Sequence, residues 1–479
     1  MSGNALPGEG AEPIALPLPP RPSVRAFEDP PVKTLRVLGA LVLHAALGVL
    51  LGKVGSVSPV HALGTAALAF WVAWTDRTLV RTACLVAYIA GSEALWRITG
   101  ANVVWELGKY SIVGAMLIAL VRHGRFRPYP PPLIYFAALV PSALLTFASA
   151  DFDRARQIVS FDMSGPVSLA VGVLFFVRVR LTGRQLARVL LHYVVPTVAV
   201  VVLIVMGLAG SEIQFGNSSI AAASGGFGPN QVSASLGLGS LACFLVITTR
   251  PVPLALKGLM GCCLLMFAAQ SALTFSRCGL YYFAGGTLLA TVLLLRNPQM
   301  ILQLGVGGLV LAAAGYFVIY PWLDDFTGGA LSNRFKNTDL TNRDKIMAMD
   351  LQIFAENPVL GIGVGRGKEV REAMEYRAAS HTEYTRLLAE HGSLGVLAIG
   401  MILWMALSHF LRARTVHGRA VTAALVAYTL LYMTGNGMRQ VLPGFTFGLA
   451  AAMFLPGLGL RPAANVTPLV EAAPAAPGE

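Results

Sequence analysis

The chain has 479 residues, 55% of them hydrophobic and only 13% charged, with a mean hydropathy of +0.65. Soluble domains average roughly 25% charged residues, so this composition excludes an ordinary soluble enzyme and points to a multispanning membrane protein. The formal net charge of +12 and the pI near 9.7 would suit a nucleic-acid partner in a soluble chain. Here the basic residues stand in short clusters between apolar runs, which is positive-inside patterning.

The first 31 residues are rich in Pro, Gly, Ala and Glu and lack the basic-then-apolar order of a cleavable signal peptide. They predict a disordered cytoplasmic tail over 1–32, and the Pro/Ala-rich stretch 462–479 predicts another. Crossing the hydrocarbon takes about 20 mostly apolar residues. That rule places spans near 34–53, 58–75, 79–97, 103–121, 131–149, 160–178 and 185–209. It continues with 230–248, 253–275, 278–295, 299–320, 392–410, 419–437 and 441–460. The expected fold class is therefore an all-α polytopic membrane protein of about fourteen spans. Its parts are a membrane domain over 33–320, a long partly helical loop over 321–391 and a second membrane segment over 392–461.

Orientation follows the cations of the short loops. With the N-terminus inside, Arg77 and Arg81, Arg122, Arg125 and Arg127, Arg178 to Arg188, Arg250 and Lys257, Arg296, and Arg412 to Arg419 fall on the cytoplasmic side. The loop 321–391 then lies outside, on the periplasmic or extracellular face. No inverted internal repeat of the transporter kind is visible. Cys84, Cys243, Cys262, Cys263 and Cys278 lie in or beside apolar spans without metal-type spacing, and read as small buried hydrophobes. Glu106 and Lys109, three apart on one predicted span, are spaced to neutralise one another.

Chemistry concentrates in 321–390, which holds eleven of the chain's 24 acidic residues together with Arg334, Arg343, Arg366, Arg371, Arg377, Arg386 and the isolated His381. Thr341 or Asn342 is the expected cap of a helix whose apolar stripe is Ile346, Met349, Ile353 and Phe354, stopped by Asn357-Pro358. Arg343 would stand at its N-terminal end, where an anion also meets backbone N–H groups. Gly361-Ile362-Gly363-Val364-Gly365-Arg366-Gly367 has no strand before it, so it reads as a tight turn bringing backbone close to a ligand or helix. Upstream, Thr274-Phe275-Ser276-Arg277 puts a cation at the outer membrane edge, where an anionic headgroup is a natural partner. Gly225 to Gln231 supplies glycines for turning, and Asn230 and Gln231 amides for a hydroxyl-rich ligand.

Together, Thr274 to Arg277, Asn357 to Gly363, and His381-Thr382-Glu383-Tyr384 running to Glu390-His391-Gly392-Ser393-Leu394-Gly395 resemble the O-antigen ligase and O-antigen polymerase family of membrane glycosyltransferases. The likeness covers roughly Thr274 to Phe410. Cys278 and Thr382 depart from the glycine and asparagine common in the family. The resemblance implies a GT-C-like inner-membrane enzyme that moves a glycan from an undecaprenyl diphosphate carrier to an acceptor saccharide, lipid A core or growing polysaccharide, without metal or other cofactor. It implies donor diphosphate on Arg277 and Arg343, with Arg334 as a further candidate, because guanidinium grips two phosphate oxygens at once. His381 is the expected catalytic base, oriented by Glu383 or Glu390, and Asn230, Gln231 and Tyr384 are candidate glycan contacts. A transporter or lipid-linked-glycan flippase, built on Glu106 and Lys109, is the alternative. A third reading is a polymerase using Asp324 or Asp325 in place of histidine.

Overall fold

The computed structural model describes residues 30–124, 129–209, 215–216, 218–337, 342–376 and 378–455. Most of the two predicted tails, the cap candidate Thr341, and Arg125, Arg127 and Arg377 lie outside the described residues. The first helices are α1 (Thr34–Lys53), α2 (Val57–Thr75), α3 (Val80–Ile98), α4 (Leu107–Arg122), α5 (Pro130–Ser149), α6 (Phe152–Phe176) and α7 (Gly183–Leu208). Next come α8 (Pro229–Thr248), α9 (Leu254–Leu273), α10 (Cys278–Leu294) and α11 (Pro298–Ala314). α11 runs through a π-helical turn, Gly315–Ile319, into α12 (Tyr320–Phe326). The polar island then holds α13 (Ala330–Lys336), α14 (Arg343–Glu356), α15 (Gly367–Ala373) and α16 (Glu383–His391), before α17 (Ser393–Arg412), α18 (Val416–Met433) and α19 (Leu442–Ala450). The only strands among the described residues are β1 (Arg180–Leu181) and β2 (Met453–Phe454), paired in parallel.

Helix starts follow local chemistry. Proline, whose missing N–H costs nothing in a first turn, opens α5, α8, α11 and α19. Thr182 and Gln185 form a reciprocal capping box at α7. α14 ends at Glu356 with Asn357 as its C-cap, where Asn357-Pro358 predicts a stop.

Helices occupy all fourteen places at which spans are predicted, but they are not fourteen equal crossings. Among the described residues nine helical stretches are long and apolar enough to cross a membrane, the architecture of a polytopic helical membrane protein, and α10 is a shorter apolar helix. α19 departs most from expectation. Its nine residues rise about 14 Å, under half of the roughly 30 Å hydrocarbon thickness, and the chain after it pairs with β1 instead of continuing as helix. The α11–α12 run is apolar with none of its window buried, a helix surrounded by lipid on this reading.

From Val32 onward the described residues form a single unit. Inside it α10 packs on α18 and α8, α3 on α7, and α19 on α6. Glycine sets the closest crossing: a Cβ on Gly279 would sit 1.8 Å from the Ser233 carbonyl oxygen, and one on Gly237 2.2 Å from the Gly279 carbonyl oxygen. Gly279→Ala is therefore expected to force α8 and α10 apart, costing about 1–3 kcal/mol, read as a lower unfolding temperature in detergent. An unchanged temperature would mean that the crossing is looser than drawn.

One polar chain ties α1, α2 and α3 together. Trp96 Nε1 can only donate, and it does so to His61 Nδ1 at 2.9 Å. His61 Nε2 must then donate to the Tyr88 hydroxyl, 2.9 Å away, which donates to His44 Nε2 at 2.9 Å, leaving His44 Nδ1 to donate to the Ala40 carbonyl at 2.8 Å. Every member is satisfied with both imidazoles neutral. Because the indole cannot accept a proton, the chain is a clamp between helices and not a relay.

Candidate functional site

The island is fixed by one buried carboxylate. Asp350, on the inner face of α14, is fully buried between Ile346 and Ile353. It accepts from Arg371 of α15 through a short ion pair, from the Ser380 hydroxyl at 2.9 Å and from the Thr385 hydroxyl of α16 at 2.8 Å. Arg371 is itself 1% exposed and spends its Nε on the Ala378 carbonyl at 3.0 Å. This joint places the segment 378–382, and with it His381.

The glycine-rich turn meets helices. Gly361 has φ 67°, and a Cβ there would lie 2.3 Å from the Glu390 carbonyl carbon. Gly365 has φ 72°, and its Cβ would lie 2.3 Å from an Asp162 carboxylate oxygen. Both positions therefore need glycine twice over, for backbone conformation and for space. Ile362 and Gly363 donate to the Ala389 and Glu390 carbonyls at 3.1 Å, and Val364 donates to the Ser142 carbonyl of α5 at 3.3 Å.

On α16, Glu383, Arg386 and Glu390 share one face, as spacings of three and four require. Arg386 pairs closely with Glu383, and with Glu390 at 2.8 Å, while Asp162 of α6 stands 3.9 Å away. Glu383 also accepts from the Met438 N–H at 3.2 Å, in the turn joining α18 to α19. The same turn is held by Glu93, which accepts from the Val441 N–H at 2.9 Å, and by Arg97, which donates to the Arg439 carbonyl at 3.2 Å. Arg97 pairs with Glu93 at 2.7 Å and lies 3.7 Å from Glu106, which pairs with Lys109 at 2.7 Å. The predicted neutralisation of Glu106 by Lys109 is thus present, inside a larger buried network.

These groups enclose a cavity of about 470 Å³. Arg97, Lys109, Lys368, Arg371, Arg386 and Arg439 line it against Asp162, Glu383 and Glu390, with Trp105, Phe161 and Phe227 as apolar wall. A second cavity of about 210 Å³ shares Arg97 and Trp105 with the first. The Arg97 guanidinium lies 4.8 Å from the Trp105 ring centre and 5.6 Å from that of Phe227.

The predicted site residues divide between this cavity and its neighbourhood. Glu383, Glu390 and Gln231 line it. His381 is half-buried at its edge, one residue from the lining Ser380. Burial, then the guanidinium groups of Arg343, Arg439 and Arg371, push its imidazole down to about 4. Arg343 stands 3.7 Å from the Cys278 sulfur at the first turn of α10, and a Cβ on Gly435 would lie 3.5 Å from it. Arg277 caps α10 and donates to the Asn337 carbonyl; Arg334, buried, donates to the Phe275 carbonyl at 3.0 Å. Both cations therefore hold α13 against the Thr274–Cys278 turn, and neither lines the cavity.

Five expectations need correction. The Glu383 and Glu390 carboxylates are engaged by Arg386 and not by His381, because Arg386 lies on their own helix face. Burial pushes Glu390 up to about 7 against the pull of Arg386. Asn230 is committed to structure, accepting from the Ser276 hydroxyl at 2.7 Å. Tyr384 does not line the cavity and donates to the Leu430 carbonyl at 3.0 Å. Asn342, in the left-handed region at φ 60°, precedes α14 without a side-chain capping bond. Asp324 accepts from the Ser332 N–H at 2.9 Å, joining α12 to α13, and neither it nor Asp325 lines the cavity.

Sequence reasoning counted Arg371 and Arg386 among the island's cations without giving them a role, and passed over Asp350, Asp162, Arg97 and Arg439. The spacings Glu93/Arg97 and Glu383/Arg386/Glu390 carried a readable signal; the others meet only through tertiary folding. No protein-family model matches the chain, and a search of the curated proteins finds no match either.

Proposed function

We propose that the chain is a membrane glycosyltransferase of the O-antigen ligase/polymerase type, moving a glycan from a polyprenyl diphosphate carrier to an acceptor saccharide during surface polysaccharide synthesis. The observation that carries this reading is a neutral imidazole, His381, set among Arg343, Arg371 and Arg439 beside a basic cavity with an aromatic wall. Such a base needs no carboxylate to strip its proton, because burial first, and then the surrounding cations, keep it unprotonated. The acceptor hydroxyl gives its proton to His381 as its oxygen bonds to the anomeric carbon. The anomeric C–O bond to the diphosphate breaks, and polyprenyl diphosphate leaves with the electron pair. Arg343, with Arg277 and Arg334 as the further candidates, neutralises that growing charge, and fixed guanidinium groups serve this role without a metal. Direct displacement inverts the anomeric centre.

The remaining pieces of the reading are a GT-C-like fold with about fourteen passes through a bacterial inner membrane, the last made by the short α19 together with the strand that reaches β1, both termini cytoplasmic, and the site outside. Orientation is supported by the cations of the opposite helix ends, among them Arg178, Arg184, Arg250, Arg296 and Arg414. The flippase alternative draws less support, since Glu106 and Lys109 neutralise one another within a network that also holds Arg97, Glu93 and Ser164.

Deleting the protein and examining the carrier-linked glycan tests the function. Single repeat units left on the carrier indicate a lost polymerase and long carrier-linked chains a lost ligase; an unchanged pool would refute both. The pH dependence is a second test. His381 is a base only when neutral, so kcat/KM should hold from neutrality down to about pH 5 and fall as the pH approaches 4. A bound diphosphate offsets the guanidinium charge and raises the imidazole pKa, so the acid limb of kcat should lie at higher pH than that of kcat/KM. Coincident limbs near pH 6.5 would contradict this picture.

A further inference from the structure

We infer that the large cavity receives the acceptor as an anionic saccharide, its carboxylate or phosphate held by Arg439 and its sugar ring by Trp105, Phe227 and Gln231; this rests on the transferase reading. The cavity's charges were matched one by one. Arg371 has Asp350, Arg386 has Glu383 and Glu390, Arg97 has Glu93, and Lys109 has Glu106. Lys368 is exposed to solvent. Arg439 is the one largely enclosed cation of the lining that has no carboxylate within 4 Å among the described residues. Its guanidinium donates to the Ser380 carbonyl at 2.9 Å; of the acids that act on it, Glu383 is paired with Arg386 and Asp162 lies 3.9 Å from that same guanidinium. An enclosed guanidinium facing a cavity without a counter-ion calls for an anionic ligand, and its planar fork suits carboxylate or phosphate.

Two further groups define what carries the anion. The Gln231 side-chain oxygen is buried without a hydrogen-bond partner and lines the same cavity, so it can accept from a hydroxyl. Trp105 is 54% exposed and stands edge-on to Phe227, 6.0 Å between ring centres, giving an apolar face for the C–H side of a sugar. Arg439 grips the carbonyl next to His381, so an anion on it sets an acceptor hydroxyl beside the base. Arg343, toward α10, is left for the carrier diphosphate.

The purified protein in nanodiscs is titrated with glucuronate, glucose 6-phosphate, glucose and inorganic pyrophosphate, with bound probe read by saturation-transfer-difference NMR. Glucuronate or glucose 6-phosphate should bind in preference to glucose, and the stronger of the two identifies carboxylate or phosphate as the group read. Arg439→Gln should weaken that probe by roughly tenfold or more while pyrophosphate binding persists, which also shows that the variant is folded. Arg343→Gln should do the reverse. Equal binding of glucose and both anionic sugars would overturn the inference, as would Arg439→Gln losing pyrophosphate and keeping the sugar. Should Arg439→Gln bind nothing, Arg439→Lys decides: retained preference for the anionic sugar supports the inference and loss of it ends it. The titrations need no turnover. Failed sugar selectivity with intact His381-dependent transfer sinks only this inference, whereas absent transfer sinks the transferase reading whatever the titrations give.

Discussion

Replacing His381 by alanine is expected to abolish glycan transfer while leaving expression, membrane insertion and unfolding temperature close to those of the parent protein. General-base assistance contributes roughly a hundredfold to ten-thousandfold, and among the described residues no histidine lines the cavity to take over the role. The structural joints nearby are Asp350 with Arg371, and Arg386 with Glu383 and Glu390, so removing the imidazole leaves the island's supports in place. His381→Gln, which keeps a polar side chain of similar size but cannot take the proton, should be as inactive as alanine. Product at the parental rate from either variant, at matched protein level, would remove His381 from the mechanism.

Asp350→Ala is expected to cause the largest structural loss of any single change in the island. Arg371 would be left charged, buried and without its carboxylate, and the Ser380 and Thr385 hydroxyls would lose their acceptor. Breaking a buried pair by removing one partner costs about 3–5 kcal/mol. The cost should appear as a lower unfolding temperature and as proteolytic cleavage within 342–382, with transfer lost because the segment bearing His381 is no longer positioned. Asp350→Leu combined with Arg371→Leu removes both charges and should be milder than Asp350→Ala alone. Parental protease resistance in Asp350→Ala would show that the joint is dispensable.

Much of the fold was legible because crossing a bilayer leaves a coarse mark. Twenty apolar residues read the same whatever they pack against, and α1, α5, α7 and α9 begin and end within a few residues of the predicted spans. Asn357-Pro358 and the glycines at 361–367 were equally readable, since each acts through its own backbone. α19 was drawn too long because hydropathy cannot tell one continuous helix from a short helix that runs into a strand pair.

The site was legible in its residue types and less so in its contacts. His381, Arg343, Glu383, Glu390 and Gln231 do gather at or beside one cavity. Glu383 and Glu390 were attached to the wrong partner because sequence proximity to His381 outweighed the helix face they share with Arg386. Asp350 and Arg371 lie 21 residues apart, and Arg439 reaches Ser380 across 59; no local periodicity announces such pairs. The His44–Tyr88–His61–Trp96 clamp was hidden for the same reason, its members spread over three apolar helices.

The most direct test is reconstitution of the purified chain in a bilayer with a synthetic polyprenyl-diphosphate-linked saccharide and a saccharide acceptor, with no nucleotide present. The expected result is a new glycosidic product formed one-for-one with free polyprenyl diphosphate, in wild type and not in His381→Ala. Intact lipid-linked saccharide moved to the opposite leaflet, with no diphosphate released and no difference between the two proteins, would contradict it.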